Sequence, residues 1–297
     1  MKPGPRPCPR SPMRLGRIPY INCFPVYGAV DRGIVPIDAT LVDGVPTALN
    51  HMMAGGELDV SVVSAVEYAR DSARYLLLPD LAISCDGPVR SVMLFSHEPV
   101  ERLTGKRVLV SSSSMTSVHL LELLFEHVWH AHPEFVPGDA ERDSLGKDDP
   151  TQIAARLVIG DAALMLQSSD HPLAVAHGGY YSHVYDLGAE WKRWTGLPFV
   201  FAVWVAQRAT PVADALKLHA SLITSRDWGL NHLPELSAQA ARATGVPVTE
   251  CRHYFDGLDW RLGLKELEGL TEFFRRLELA GRVPRGKLAF LPAASRV

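Results

Sequence analysis

The sequence predicts an α/β protein folded as two lobes with a ligand cleft between them. Three observations carry this. Short apolar runs alternate with helix-period segments from the N-terminus, the order of a doubly wound sheet. A second series opens at Gly105–His132, where a buried strand runs through Ser111–Ser114, Met115, Thr116 and Ser117 into a long amphipathic helix. A long apolar strand, Pro198–Ala206, then leads back to a helical C-terminal third. A chain that crosses between lobes twice makes a hinge, and a small molecule sits between the lobes.

In order, Arg14–Ile21 predicts a first strand, followed by a short helix that Pro25 starts and Gly33 closes. Ile37–Val42 alternates as a strand, and Val45–Ala54 is a helix ended by Gly55-Gly56. Leu58–Val63 is a buried strand, and Ser64 with Glu67 reads as a capping box opening the next helix. Tyr75–Leu78, Leu81–Ser84 and Ser91–Phe95 are apolar and extended. On the helix after the serines, Val118, Leu121, Leu124, Phe125, Val128 and Trp129 make one apolar stripe at spacings of three and four. A polar, mobile segment is expected over Pro137–Pro150. Beyond it come a helix at Thr151–Val158, strands at Ala162–Leu166 and Val184–Leu187, and a short helix at Ala189–Thr195. The remaining helices are Val212–Trp228, Pro234–Ala243 and Trp260–Ala280. Residues 13–98 with 206–297 would form a discontinuous first lobe and residues 99–205 the second. This is the architecture of solute-binding proteins whose first domain is discontinuous. Residues 1–12 read as a disordered leader, or as an over-extended start with Met13 the true first residue.

Composition narrows the function classes. The chain has 297 residues, 47% hydrophobic and 21% charged, with formal net charge −3. No global basic field exists to recruit nucleic acid or an acidic membrane, so an anionic ligand must be held by local groups. Cys8, Cys23, Cys85 and Cys251 are widely spaced with no C-x-x-C pair, which fits a reducing compartment and no zinc ribbon. No apolar run reaches the ~20 residues of a membrane span. The N-terminal prolines and basic residues lack the apolar segment of a secretory signal. A cytoplasmic protein is expected.

The chemistry-bearing residues are sparse. His127, His130 and His132 lie close together, but no carboxylate or cysteine at companion spacing completes a metal site. Neither G-x-x-x-x-G-K-[ST] nor G-x-G-x-x-G occurs, so no nucleotide cofactor is expected, and no other cofactor either. Ser111–Ser114 has no adjacent base, so these serines are not nucleophiles. They read either as a plain helix cap or as a hydroxyl-lined anion cradle, where unpaired N–H groups and the positive helix end attract a carboxylate. Asn22 follows a buried strand and reads either as a turn residue or as a cleft-facing amide. Ser91 opens a buried strand after the Asp86-Gly87-Pro88 turn, toward the same mouth as Asn22 and Ser64. Gly160-Asp161 is either a simple turn or a cleft edge.

Five separated stretches, in order and spacing, resemble a known family: RIPYINCFPVYGAV, GVPTALNHMMAGGELDVSVVSAVEYAR, YLLLPDLAISCDGPVRSVMLFS, SSMTSV and TGLPFVFAVWVA. Together they resemble the chorismate dehydratases of the futalosine route to menaquinone, from about Met13 to Ala206. Ala65 and Ala162 depart from the family's pattern, where serine and an acidic residue are common. The resemblance implies a periplasmic-binding-protein-like (type II) fold and the loss of water from chorismate to give 3-[(1-carboxyvinyl)oxy]benzoate. It also implies that Asn22 and Ser91 contact the reacting ring, while Tyr20, Ser64, Ser114, Thr116, Ser117 and Asp161 bind the substrate. No metal or cofactor is implied, and a homodimer is left open. Two alternatives stand beside this one: the sister 1,4-dihydroxy-6-naphthoate synthase, and a non-catalytic cytosolic protein that binds a small anion.

Overall fold

The computed structural model describes residues 12–141, 151–168, 171, 172, 174 and 181–292. The expected leader therefore lies almost wholly outside the described residues, as does most of the expected polar segment.

Ten strands form two five-stranded sheets among the described residues. The first sheet has the order β2 (Ala39–Asp43), β1 (Met13–Arg17), β3 (Val60–Ser64), β10 (Phe199–Gln207), β4 (Tyr75–Cys85). The second has the order β7 (Glu134–Gly138), β6 (Arg107–Ser111), β8 (Ala155–Ile159), β5 (Val92–Ser96), β9 (His183–Asp186). Both follow one plan. Three strands run parallel, a fourth runs antiparallel to its neighbour, and an edge strand completes the sheet. The fold is α/β and two-lobed, as the sequence predicts.

The antiparallel strand in each sheet is where the expectation needs correcting. The expected boundaries put Val92–Ser96 in the first lobe and Phe199–Val205 in the second, but each pairs in the other sheet. Both strands are buried on both faces, so no alternation of polar and apolar residues marks which core they join. The crossings thus fall near residues 86–91 and 196–198.

Other elements also shift. Thr151–Val158 contains good helix formers, yet Ala155–Ile159 is a fully buried strand held between β6 and β5, so tertiary pairing overrides propensity. Ala162–Leu166 is not a strand but part of helix α5 (Gly160–Gln167). Short apolar runs do not distinguish the two states by periodicity. The Ser64–Glu67 capping box is absent at α3 (Ala65–Arg70), where the Ser64 side chain makes no cap. Glu67 instead accepts from the Tyr75 hydroxyl at 3.1 Å.

Helices α1 (Phe24–Asp31) and α2 (Pro46–Ala54) link the parallel strands of the first sheet, and α4 (Met115–Leu124) follows β6 in the second. A wider π-helical turn, Phe125–Trp129, extends α4 and ends at His130 in the left-handed region, φ 49°. Helix α6 (Leu187–Thr195) precedes the second crossing. Four helices close the chain: α7 (Val212–Asn231), α8 (Leu233–Thr244), α9 (Val248–Asp256) and α10 (Leu264–Leu279). The α9 helix was not expected, although Cys251, Tyr254 and Phe255 recur at helical spacing behind Pro247.

Buried indoles anchor the parts that hold the cleft. Each finds an acceptor for its N–H, as burial requires. Trp260 donates to the Asn22 carbonyl at 2.6 Å, Trp191 to the Pro198 carbonyl at 3.0 Å, and Trp204 to the Tyr27 hydroxyl at 3.0 Å. His127 stacks on Trp194 with ring centroids 5.7 Å apart, a packing role in place of a metal site.

Candidate functional site

The carboxyl ends of β1 and β3 in one sheet face those of β6 and β8 in the other, across a small cavity of about 60 Å³. Ligands in doubly wound sheets bind at this edge. Ile18, Ile83, Val92, Ile159 and Phe201 give the cavity its apolar walls. Its polar lining is Tyr20, Asn22, Ser64, Ser91, Ser114 and Ser117. Six of the eight expected site residues therefore meet in one cavity.

Three of the serines share an arrangement that spacing alone cannot reveal. Ser64 Oγ accepts from Asn50 Nδ2 at 2.8 Å, while Asn50 Oδ1 accepts from the Ser64 amide at 3.1 Å. Ser91 Oγ accepts from the Tyr254 hydroxyl at 2.9 Å. Ser117 Oγ accepts from Ser114 Oγ at 2.9 Å, and Ser114 Oγ in turn accepts from the Ser117 amide as the α4 cap. A serine hydroxyl carries one proton and accepts on its oxygen. With one acceptor site on each oxygen taken by a protein donor, the hydroxyls of Ser64, Ser91 and Ser117 are free to donate into the cavity. Asn22 Oδ1 has the opposite character. It is buried and has no hydrogen-bond partner among the described residues. A buried acceptor left unmade costs about 1–3 kcal/mol, which a ligand donor would recover. The cavity thus offers several donors and an acceptor, suited to an anion that also bears a hydroxyl.

Thr116 and Asp161 sit differently from the rest. Thr116 Oγ1 accepts from the Val66 amide at 3.2 Å, and the residue is 1% exposed. Asp161 Oδ1 accepts from the Ile21 amide at 3.2 Å. Both side chains come from the second sheet's helices and cap the first turn of a helical segment of the first lobe. They join the lobes beside the cavity and do not line it. Gly160 makes this approach feasible: its φ is +64°, and an added Cβ would stand 3.0 Å from the Tyr20 ring.

Burial pushes the Asp161 carboxyl up to about 6, offset only in part by the Ile21 N–H bond. A carboxyl raised above its unfolded value, about 4, adds stability below that pH and loses it as pH rises through about 6. Asp161→Asn keeps the acceptor oxygen without the charge. It is expected to flatten the pH dependence of stability across this window, as read by urea denaturation on both sides of it.

Residues outside the expected set hold the site in shape. Arg90 occupies the left-handed region at φ 63°, uncommon for a non-glycine residue. The Asp186 carboxylate takes the Val89 amide at 3.0 Å and the Arg90 amide at 2.7 Å, and also caps α6 through Ala189 at 3.0 Å. This clamp fixes the crossing just before Ser91. Asn50, Asp186 and Tyr254 lie 14 to 163 residues from the groups they hold. Only the helical spacing around Tyr254 offered a local signal.

A family model described as menaquinone biosynthesis matches residues 13–279. Among curated proteins, a chorismate dehydratase from Thermus thermophilus is 32% identical over 269 residues, covering 88% of this chain and 96% of that protein. A 1,4-dihydroxy-6-naphthoate synthase from Streptomyces coelicolor is 28% identical, covering 80% and 85% respectively. Among solved structures, a protein from Archaeoglobus fulgidus superposes with TM-score 0.73 at 17% identity, over 91% of this chain and 98% of that one. The periplasmic aliphatic sulphonate-binding protein from Escherichia coli gives TM-score 0.60 at 13% identity, over 96% and 95%. These two likenesses concern the fold alone. The expected solute-binding-protein architecture is thereby met.

Proposed function

Because the chain belongs to the menaquinone biosynthesis family, matched over residues 13–279, we propose that its cleft dehydrates chorismate to 3-[(1-carboxyvinyl)oxy]benzoate. It is a hydro-lyase. The observation that carries the reading is the polarity of the cavity: hydroxyl protons of Ser64, Ser91 and Ser117 beside the partnerless Asn22 Oδ1. Chorismate brings two carboxylates to accept such bonds and one ring hydroxyl.

In the reaction the ring carbon that bears the ether loses its proton, and the electron pair spreads through the diene toward the ring carboxylate. The neighbouring carbon–oxygen bond then breaks. Its hydroxyl leaves with a proton as water, and the ring becomes aromatic. Such a step needs orientation and stabilisation of developing charge more than a strong base. Ser117 and the start of α4 hold a carboxylate, with the positive helix end favouring it. Ser91 donates to the departing hydroxyl, and Asn22 orients the ring. Among the described residues the cavity lining contains no carboxylate or imidazole. The substrate's own enolpyruvyl carboxylate therefore takes the proton.

Incubation of the purified protein with chorismate is expected to yield the aromatic ether, followed by its ultraviolet absorbance and mass. A folded protein that binds chorismate and returns it unchanged would refute the lyase reading and leave the non-catalytic anion-binding alternative. In the same assay an analogue lacking the enolpyruvyl carboxylate is expected not to turn over, and normal turnover would remove the proposed proton acceptor. Turnover of the naphthoate synthase's substrate in place of chorismate would favour the sister activity.

A further inference from the structure

We propose that Tyr254 is a positioning residue that fixes the Ser91 hydroxyl as a donor into the cleft. The proposal rests on the reading of Ser91 given above and adds the group that would make it work.

The two oxygens are 2.9 Å apart, and the residues are 3% and 1% exposed. Of two hydroxyls in contact, the phenol is the more acidic and so the better donor. Burial raises the Tyr254 phenol above its ordinary range, which keeps it protonated at any working pH. With the phenol donating, the Ser91 oxygen is occupied and its proton turns away from α9. The wall it faces is the cavity, where Val89, Ser91 and Val92 contribute to the lining. A hydroxyl that accepts one bond is also polarised to donate another more strongly.

The surrounding structure holds both partners still. Tyr254 lies in α9, its ring packed beside Phe255 with centroids 5.7 Å apart. The main chain of Ser91 is pinned on its other side, since its carbonyl accepts from the Gly160 amide at 2.8 Å. Asp186 clamps the two amides that precede it. Asn50 does for Ser64 what Tyr254 does for Ser91, so the device is used twice in one cavity. A tyrosine kept only for packing would not need its hydroxyl aimed at the one serine on this part of the cavity wall.

Steady-state kinetics with chorismate on the wild type, Tyr254→Phe, Ser91→Ala and the double variant test the proposal. Tyr254→Phe keeps the ring and removes one oxygen, and its melting temperature and circular dichroism establish that it folds. It is expected to lower kcat about tenfold, with KM within about twofold. The double variant is expected to match Ser91→Ala alone, because without the serine there is nothing left to orient. Wild-type kcat in Tyr254→Phe, beside an impaired Ser91→Ala, overturns the role of Tyr254 and leaves that of Ser91 standing. A double variant lower than Ser91→Ala by the full single-variant factor also overturns it, since the phenol would then act independently. Wild-type kcat in Ser91→Ala removes the parent reading and the proposal together.

Discussion

Ser91→Ala is expected to lower the turnover of chorismate by at least about tenfold, and Asn22→Ala by a similar factor; tenfold corresponds to ~1.4 kcal/mol of barrier. The two losses have different origins. Without the Ser91 hydroxyl, the departing oxygen loses a donor when it carries the most charge, so the effect falls on kcat and not on binding. Without the Asn22 amide, the cavity loses its partnerless buried acceptor and the ring is free to tilt from the reactive pose. Asn22→Ala is therefore expected to raise KM as well as lower kcat. Neither change should unfold the protein. The Asn22 carbonyl that Trp260 holds is main chain and survives the substitution, and Ser91→Ala deletes a single oxygen. Stopped assays of both variants beside matched melting curves check this, and wild-type kinetics in both would refute the assignment.

Gly229→Ala is expected to be strongly damaging although it lies outside the cleft. In an ordinary helix interior, glycine to alanine gains about 1 kcal/mol through propensity. Here the sign reverses. A Cβ at position 229 would stand 2.2 Å from the Pro25 carbonyl oxygen and 2.6 Å from its Cα. Both are main-chain atoms that cannot rotate aside, so α1 and α7 must separate. Overpacking of this kind costs about 1–3 kcal/mol, and more where the backbone cannot yield. The damage would reach the site, because Pro25 lies three residues after Asn22 at the start of α1. The variant should melt several degrees below the wild type and lose activity even where it remains folded. A melting temperature at or above that of the wild type would show that the two helices can move apart cheaply.

The sequence made much of the architecture legible, and the reasons for the gaps are specific. Most strands and helices of the first sheet follow from periodicity and from Pro25, Gly33 and Gly55, which act locally. The misassigned elements are those whose state is decided by distant neighbours. Ala155–Ile159 becomes a strand because β5 and β6 flank it, and Val92–Ser96 joins the second sheet because β8 and β9 receive it. The site shows the same division. Asn22, Ser64, Ser91, Ser114 and Ser117 line one cavity because they stand at strand ends and helix starts, positions that the sequence marks. Thr116 and Asp161 stand at the same kind of place, yet their side chains turn to amides of the opposite lobe. Nothing in their local sequence distinguishes the two outcomes. Asn50 and Tyr254 were not legible because a hydrogen bond between residues 14 or 163 positions apart leaves no pattern in the chain.

The placement of β10 also bears on how the protein is made. The second sheet is assembled from strands that lie between residues 92 and 186. The first sheet has β10, residues 199–207, inserted between β3 and β4. As the chain emerges from the ribosome, β3 and β4 leave it early but have no edge partner between them until β10 arrives. By then every strand of the second sheet has been synthesised. The lobe that begins the chain is thus the later of the two to close, and its central strand edges stay open to wrong pairing while they wait.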